Sequence, residues 1–280
     1  MTRKTTYLFV LVALISLTTS TGGLAENGNA TCENASVSAQ VLFLLQLQAD
    51  IQGKLSGLDA SVADAALRLS ATGVDGEKAR DVLKNLTGSS SGFVDAVTIS
   101  PQGKIMAAEP SQYIAAEGSD ISEQDHVQKL MKTKSPVLSD VFHSAEGFDA
   151  AALVYPIFSE SGNFTGAVSA TLKPGVFLGA IIAPKINGTP YSAWLMQRDG
   201  RILYDPDPSE IGRMLFEDPL YKDYPSLLEL GETMVKERSG KGSYYFLREG
   251  LQGNVTKELY WTTVGLHGNE WRLAVVRALA

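Results

Sequence analysis

Few residues of this chain have both the types and the spacing that chemistry requires. Gly88-Ser89-Ser90-Ser91-Gly92 matches G-x-S-x-G, the pattern that holds a nucleophilic serine on a strained turn. That turn needs a strand before it and a helix after it. Here a helical pattern precedes and a strand follows from Phe93, so the segment reads as a serine-rich loop. Asp205-Pro206-Asp207-Pro208-Ser209 offers oxygens at alternate positions, as a calcium loop begins, but Glu210 replaces the glycine and Phe216 the closing glutamate. Two prolines that lock the chain, with Asp207 or Ser209 capping the next helix, explain it better. His126, His143 and His267 are too scattered for a metal site, and His267 lies in a hairpin tip where a solvated turn residue is expected. No nucleophile, base and orienting group can be assembled, so neither catalysis, a metal nor a cofactor is predicted.

What remains is recognition, and a duplication supplies the elements for it. VTISPQGKIM (Val97 to Met106) and WLMQRDGRIL (Trp194 to Leu203) are both alternating strands around a glycine tip followed by a basic residue. Each precedes a second hairpin of matching shape, from Leu153 and from Glu258. The period of about 100 residues suits a small αβ domain. In the first module strands are expected near 94–100, 103–108, 136–141, 149–158 and 163–172, with a helix over 122–132 that Ser122 caps. In the second they fall near 192–198, 201–204, 242–247, 257–264 and 270–277, with helical material between Glu210 and Lys236.

Ahead of both modules, Val41, Leu44, Leu45, Ile51, Leu55, Leu58, Val62 and Leu69 recur at helical spacing, which predicts one long helix over 37–69. At about 50 Å it must run past its own module or pair with another chain. A second helix is expected over 76–86. The fold class is α+β: a long N-terminal helix, then two five-stranded antiparallel sheets with inserted helices, each open on one face. A small ligand would sit on that face. In the first module Tyr113, His126, Ser139, Asp140, His143, Asp149 and Tyr155 border it by position; in the second, Tyr204 and Asp205 do. The histidines are either satisfied or ligand-facing, and in the latter case binding varies near their titration. The acidic rim favours a cationic or neutral polar ligand. Trp194, Trp261 and Trp271 are expected in the core of the second module.

Arg3 and Lys4 precede an apolar run from Tyr7 to Leu17, and Gly23-Leu24-Ala25 ends the segment. That is the order of a secretory signal over residues 1–25, cleaved after Ala25 or kept as an anchor. A disordered tether is expected over 26–36. Six of the eight asparagines, Asn29, Asn34, Asn85, Asn163, Asn187 and Asn254, sit in N-x-S/T sequons, which predicts a glycosylated secreted or cell-surface protein. Cys32 is the single cysteine, so no internal disulfide forms. The net charge of −7, or −9 without Arg3 and Lys4, disfavours nucleic acid and anionic lipid.

The segments VTISPQGKIMAAEP, KSPVLSDVF and YPIFSESGNFTGAVS, with MQRDGRILYDPDPSEIG and YWTTVGLHGNEWRLAVV in the second module, resemble the double Cache (tandem PDC, PAS-like) extracytoplasmic sensor domains of chemoreceptors and sensor kinases. The resemblance spans Val37 to Val276. It implies N-terminal helices over 37–90, a distal module over 91–173, a connecting helix within 174–190 and a second module over 191–280. It implies ligand binding in the first module without chemistry, and a parallel homodimer through the long helix. Amino-acid binders of the family carry an Arg-x-Trp-Tyr cluster after the first hairpin and an aspartate on the last strand. Here the first region reads EPSQYIAAEGSD, and Thr171 stands where the aspartate would fall. The chain stops at Ala280 after its last strand, so a signal would pass through a separate membrane signalling or transport protein. Two other expectations remain open: a surface glycoprotein with vestigial pockets, and a solute-capture protein for uptake.

Overall fold

The computed structural model describes residues 27–89, 92–247 and 253–279. The segment 1–25, predicted as a signal or anchor, lies outside the described residues, as do Ser90 and Ser91 of the elbow-like pattern. No described helix is long and apolar enough to cross a membrane. The chain divides into two compact units, Met1–Ser38 and Ala39–Ala280. In the first, the tether expected over 26–36 is helical from Asn27, where α1 (Asn27–Thr72) begins.

Within the second unit α1 buries Leu44, Leu47, Ile51, Leu55, Leu58, Val62 and Leu69, at intervals of three or four residues for most of its length. Leu45, expected on that face, is 49% exposed, and Leu47 is buried instead. Gly53 and Gly57 face open space and do not interrupt the helix. It ends at Gly73, whose left-handed φ of 85° lets its amide donate back to the Leu69 carbonyl at 2.8 Å. Helix α2 (Gly76–Ser89) then adds Ala79, Val82, Leu83 and Leu86 to the same core.

The first sheet comprises β1 (Asp95–Ile99), β2 (Ile105–Glu109), β3 (Val137–Leu138), β5 (Asp149–Phe158) and β6 (Phe164–Leu172), in the order β2-β1-β6-β5-β3. A two-residue strand not foreseen, β4 (Phe142–His143), pairs with the start of β5. The second sheet contains β7 (Ser192–Gln197), β8 (Ile202–Tyr204), β9 (Gly240–Leu247), β10 (Asn254–Leu266) and β11 (Asn269–Ala278), in the order β8-β7-β11-β10-β9. All pairings are antiparallel, and position for position the two orders are the same. The fold is thus α+β with a duplicated sheet, as the repeated passages require.

One face of each sheet meets α1. Ala151, Leu153, Val168 and Ala170 of the first sheet and Leu195, Trp271, Leu273 and Val275 of the second join α1, α2 and α4 (Pro174–Ile186) in one core. The long helix therefore runs along both sheets. The opposite face of the first sheet packs on α3 (Asp125–Thr133) through Val127 and Leu130. That of the second packs on α5 (Pro225–Lys236) through Leu227, Leu230 and Met234. Ser122 does not cap α3: the N-cap is Gln124, and the Ser122 amide instead donates to Asp120 Oδ1 in the preceding turn.

Polar side chains of α1 also reach the second sheet. Strand β9 pairs with β10 only as far as Trp261, so the next stretch of β10 has no strand on that side. Gln48 Nε2 donates to the Thr263 carbonyl at 2.8 Å, and Gln52 both donates to the Gly265 carbonyl at 3.0 Å and accepts from the Gly265 amide at 3.1 Å. The helix thus satisfies backbone groups that a strand would otherwise pair. His267, expected as a solvated turn residue, belongs to this contact: Nε2 lies 2.6 Å from Asp59 Oδ1 on α1, and the ring meets Tyr155 edge-on.

Candidate functional site

Register places a polar row on the outer face of the first sheet. Asp95 on β1 faces Thr171 on β6, which faces Ala152 on β5. Ser139 extends the row, its amide donating to the Ala152 carbonyl at 2.9 Å and its hydroxyl accepting from the Ala152 amide at 2.8 Å. Val97, Ser169 and Val154 form the row beside it. Alternation puts both rows on the side of α3, away from α1, and all their side chains are short.

Asp95 is the chemical centre of this face. It is wholly buried, and Thr171 Oγ1 donates to its Oδ1 at 2.6 Å, while Oδ2 has no hydrogen-bond partner. Burial, then the charge of Glu146, push its pKa up to about 7, against the Thr171 hydrogen bond, which acts to lower it. A buried carboxylate with one oxygen unsatisfied is costly to the folded state. It is also an acceptor prepared for a donor or cation.

The predicted residues scatter around this centre. Thr171 is buried and spent on Asp95. Ser139 holds the sheet edge, its hydroxyl donating to the Asp140 carbonyl at 2.6 Å. Tyr113, on the turn Ser111–Ala116, packs its ring 5.8 Å from Phe148, over which Lys173 Nζ lies at 4.5 Å. Tyr155 is misplaced by the sequence reading: with Leu153 and Ile157 it faces α1, where burial, then Asp59, raise its pKa above the ordinary phenol range. His126 is buried against Phe142 at 4.3 Å, and burial lowers its pKa to about 4, so it is neutral near pH 7. His143 is exposed and paired with exposed Asp149 at 3.1 Å.

Four of these residues, His126, Ser139, Asp140 and His143, do share a cleft of about 660 Å³. Its other wall is the second module, with Arg198, Asp199 and the β10–β11 tip, where Asn269 Nδ2 donates to Asp140 Oδ1 at 3.0 Å. Asp149 lies apart, in a depression with Lys173 and Arg201. In the second module Asp205 lines a separate cavity of about 440 Å³. Tyr204 does not: it turns to the α1 side and packs on Gly179 of α4. Trp194, Trp261 and Trp271 are buried as expected. Asp207 Oδ1 accepts the Ser209 amide at 2.9 Å and caps the following short helical turn, Pro208–Glu210. No group of metal-binding side chains forms among the described residues.

Asp95 was missed by sequence reasoning. Its signal was parity: it stands two residues before Val97 and four before Ile99, in phase with the buried outer face. It also sits one strand across from Thr171, so the carboxylate that the resemblance places on the last strand is found here on the first.

Residues 53–174 match the family described as HK/GC/chemotaxis protein-like, sensor domain. The match takes in the end of α1, α2 and the whole first sheet. This stretch is similar to the sensor domains of that family. Most of the chain also superposes on solved sensor structures. An extracellular ligand-binding receptor from Desulfohalobium retbaense is 33% identical, with a TM-score of 0.72 over 84% of this chain. This chain spans only 39% of that receptor's length. The ligand-binding domain of the amino acid chemoreceptor PctB of Pseudomonas aeruginosa, in complex with L-Arg, is 18% identical with a TM-score of 0.64 over 86% of this chain and 94% of its own. That of the chemoreceptor CtaA of Pseudomonas fluorescens, in complex with L-serine, is 15% identical with a TM-score of 0.61 over 89% and 98%. The last two share the fold. No curated protein sequence matches.

Proposed function

We propose that this chain is an extracellular sensor that reversibly binds a small ligand on the outer face of its first sheet, anchored by a cationic or hydrogen-bond-donating group at Asp95. The unpartnered Oδ2 of that buried carboxylate is the observation that carries the reading. An ammonium would supply the missing donor and the countercharge together, and the short side chains of Ala152, Ser169 and Thr171 would floor the site. Occupancy would be relayed by a separate polypeptide or through a second copy of the chain packed along α1. The exposed positions of Asn85, Asn163, Asn187 and Asn254 support glycosylation and export; the side chains of Asn29 and Asn34 lie outside the described residues.

The test is isothermal calorimetry of the purified protein against amines, amino acids and carboxylates. Binding of an amine or amino acid that is lost in Asp95→Asn supports the reading. Ligands that are anions only, or a hit indifferent to Asp95, would refute it. A second reading, a surface glycoprotein with a vestigial pocket, is favoured only by the apolar packing of Val127 and Leu130 on the same face. It predicts silence across the panel.

A further inference from the structure

A cavity of about 440 Å³ lies against the outer face of the second sheet. Its wall is aromatic. Trp194 of β7, Tyr221, and Tyr244 and Phe246 of β9 all line it, with the Tyr221 and Phe246 ring centroids 5.9 Å apart. Its mouth is acidic: Asp205, Asp207 and Glu210 come from the segment held by Pro206 and Pro208. Each of these carboxylates is already engaged. Asp205 accepts the Asp207 amide at 2.8 Å, Asp207 the Ser209 amide at 2.9 Å, and Glu210 the Tyr221 hydroxyl at 3.0 Å. They therefore offer negative charge more than a full set of acceptors. Lys257 is the one basic residue among the lining side chains, and its ammonium lies 5.5 Å from the Phe246 ring centroid. An ammonium of the protein is thus already placed near one ring of this wall.

Three carboxylates against one ammonium leave the cavity negative, and aromatic faces attract cations that shed water easily. Ile202, Leu215, Leu227 and Val276 complete the lining with apolar surface suited to alkyl groups. We propose that the second module binds a small organic cation with an alkylated ammonium head, held by the Trp194, Tyr221, Tyr244 and Phe246 rings and by the charge of Asp205 and Glu210. This site is independent of Asp95, which lies on the other sheet. The volume falls in the range of small-molecule sites, roughly 300–1,000 Å³.

The three tryptophans of the chain all belong to the second module, and Trp194 alone among them lines the cavity, so emission reports on it. The intact protein would be titrated with tetramethylammonium and with choline. A saturable emission change is expected, absent in Trp194→Phe. Glu210→Gln and Asp205→Asn should each weaken it about tenfold, and Phe246→Leu, which keeps the apolar volume, about fivefold. Asp95→Asn should leave it unchanged. Lys257→Met, which removes the competing ammonium, should tighten binding about threefold. Circular dichroism matching that of the unaltered protein qualifies each variant. No saturable change, or Glu210, Asp205 and Phe246 variants that bind normally, would overturn the site. Weaker binding in Lys257→Met would show that the ammonium does not compete with the bound cation, and would overturn the charge argument for the site. Loss of the response in Asp95→Asn would assign it to the first module. Because Asp95 is tested separately, failure here leaves the first-module reading standing, and the reverse.

Discussion

Replacing Asp95 by Asn should make the unliganded protein more stable relative to the original as pH rises. In the folded chain the carboxyl titrates near pH 7 rather than at its ordinary 3.8. Between those values the folded state holds a proton that the unfolded state has released, so stability falls with rising pH. At about 1.4 kcal/mol per pH unit, that loss has reached only about 1.6 kcal/mol at pH 5 and its full extent, about 4 kcal/mol, at pH 8. The gap of about 2.5 kcal/mol is the signal. Asparagine keeps an acceptor for Thr171 Oγ1 and cannot ionise, and any fixed packing cost cancels between the two pH values. His126 acts in the opposite sense over part of this range, so the quantity to measure is variant minus original at each pH. With about 2–4 °C per kcal/mol for a chain of this size, the difference in melting temperature should grow by about 5–10 °C from pH 5 to pH 8. Differential scanning calorimetry would read it. A difference that stays flat with pH would show that Asp95 is already compensated, and the argument for it as a ligand anchor would fall.

His126 supplies a second pH test. Its folded pKa of about 4 lies below the unfolded value of 6.5, so the unfolded state takes the proton first and stability is lost as pH falls through that window, by about 3 kcal/mol. His126→Phe should abolish that loss in calorimetry. Gln52→Ala leaves both backbone groups of Gly265 without their partner and should cost about 2 kcal/mol in urea unfolding, with an unchanged m value. Arg272, almost wholly buried, donates to the carbonyls of Met234, Val235 and Glu237 at the end of α5 and pairs with Glu270 at 3.1 Å. Arg272→Met should cost about 3 kcal/mol by the same measurement, because those carbonyls are left bare at a helix end.

Period and repetition made the architecture legible. The two hairpin pairs, the inserted helices and the long helix follow from alternation of two and from spacing of three and four, which survive in any context. The site was less legible because it depends on register between distant strands. Tyr155 lies between Val154, which faces α3, and Pro156, so proximity alone could not tell which face it takes; its parity with Leu153 and Ile157 decides it. Asp95 looked like the polar start of an apolar strand until Thr171, 76 positions later, was found opposite it. His267 carries every mark of a solvent-exposed tip, and only Asp59, 208 positions earlier, makes it a structural contact. Leu45 and Leu47 both suit a helical stripe, and which one is buried depends on how α1 is rotated against the sheets.

The glutamine contacts of α1 have a mechanical meaning. Gln48 and Gln52 are one helical turn apart, about 6 Å along the axis, and the Thr263 and Gly265 carbonyls they meet are two strand residues apart, about 6.8 Å. Helix and strand are therefore commensurate here, as two scales of nearly equal division are. A slide of α1 by a fraction of a turn leaves both amides between marks, whereas a full turn would bring Gln48 to the place of Gln52. The helix is indexed to the second sheet, and axial travel along β10 can come to rest only in whole steps.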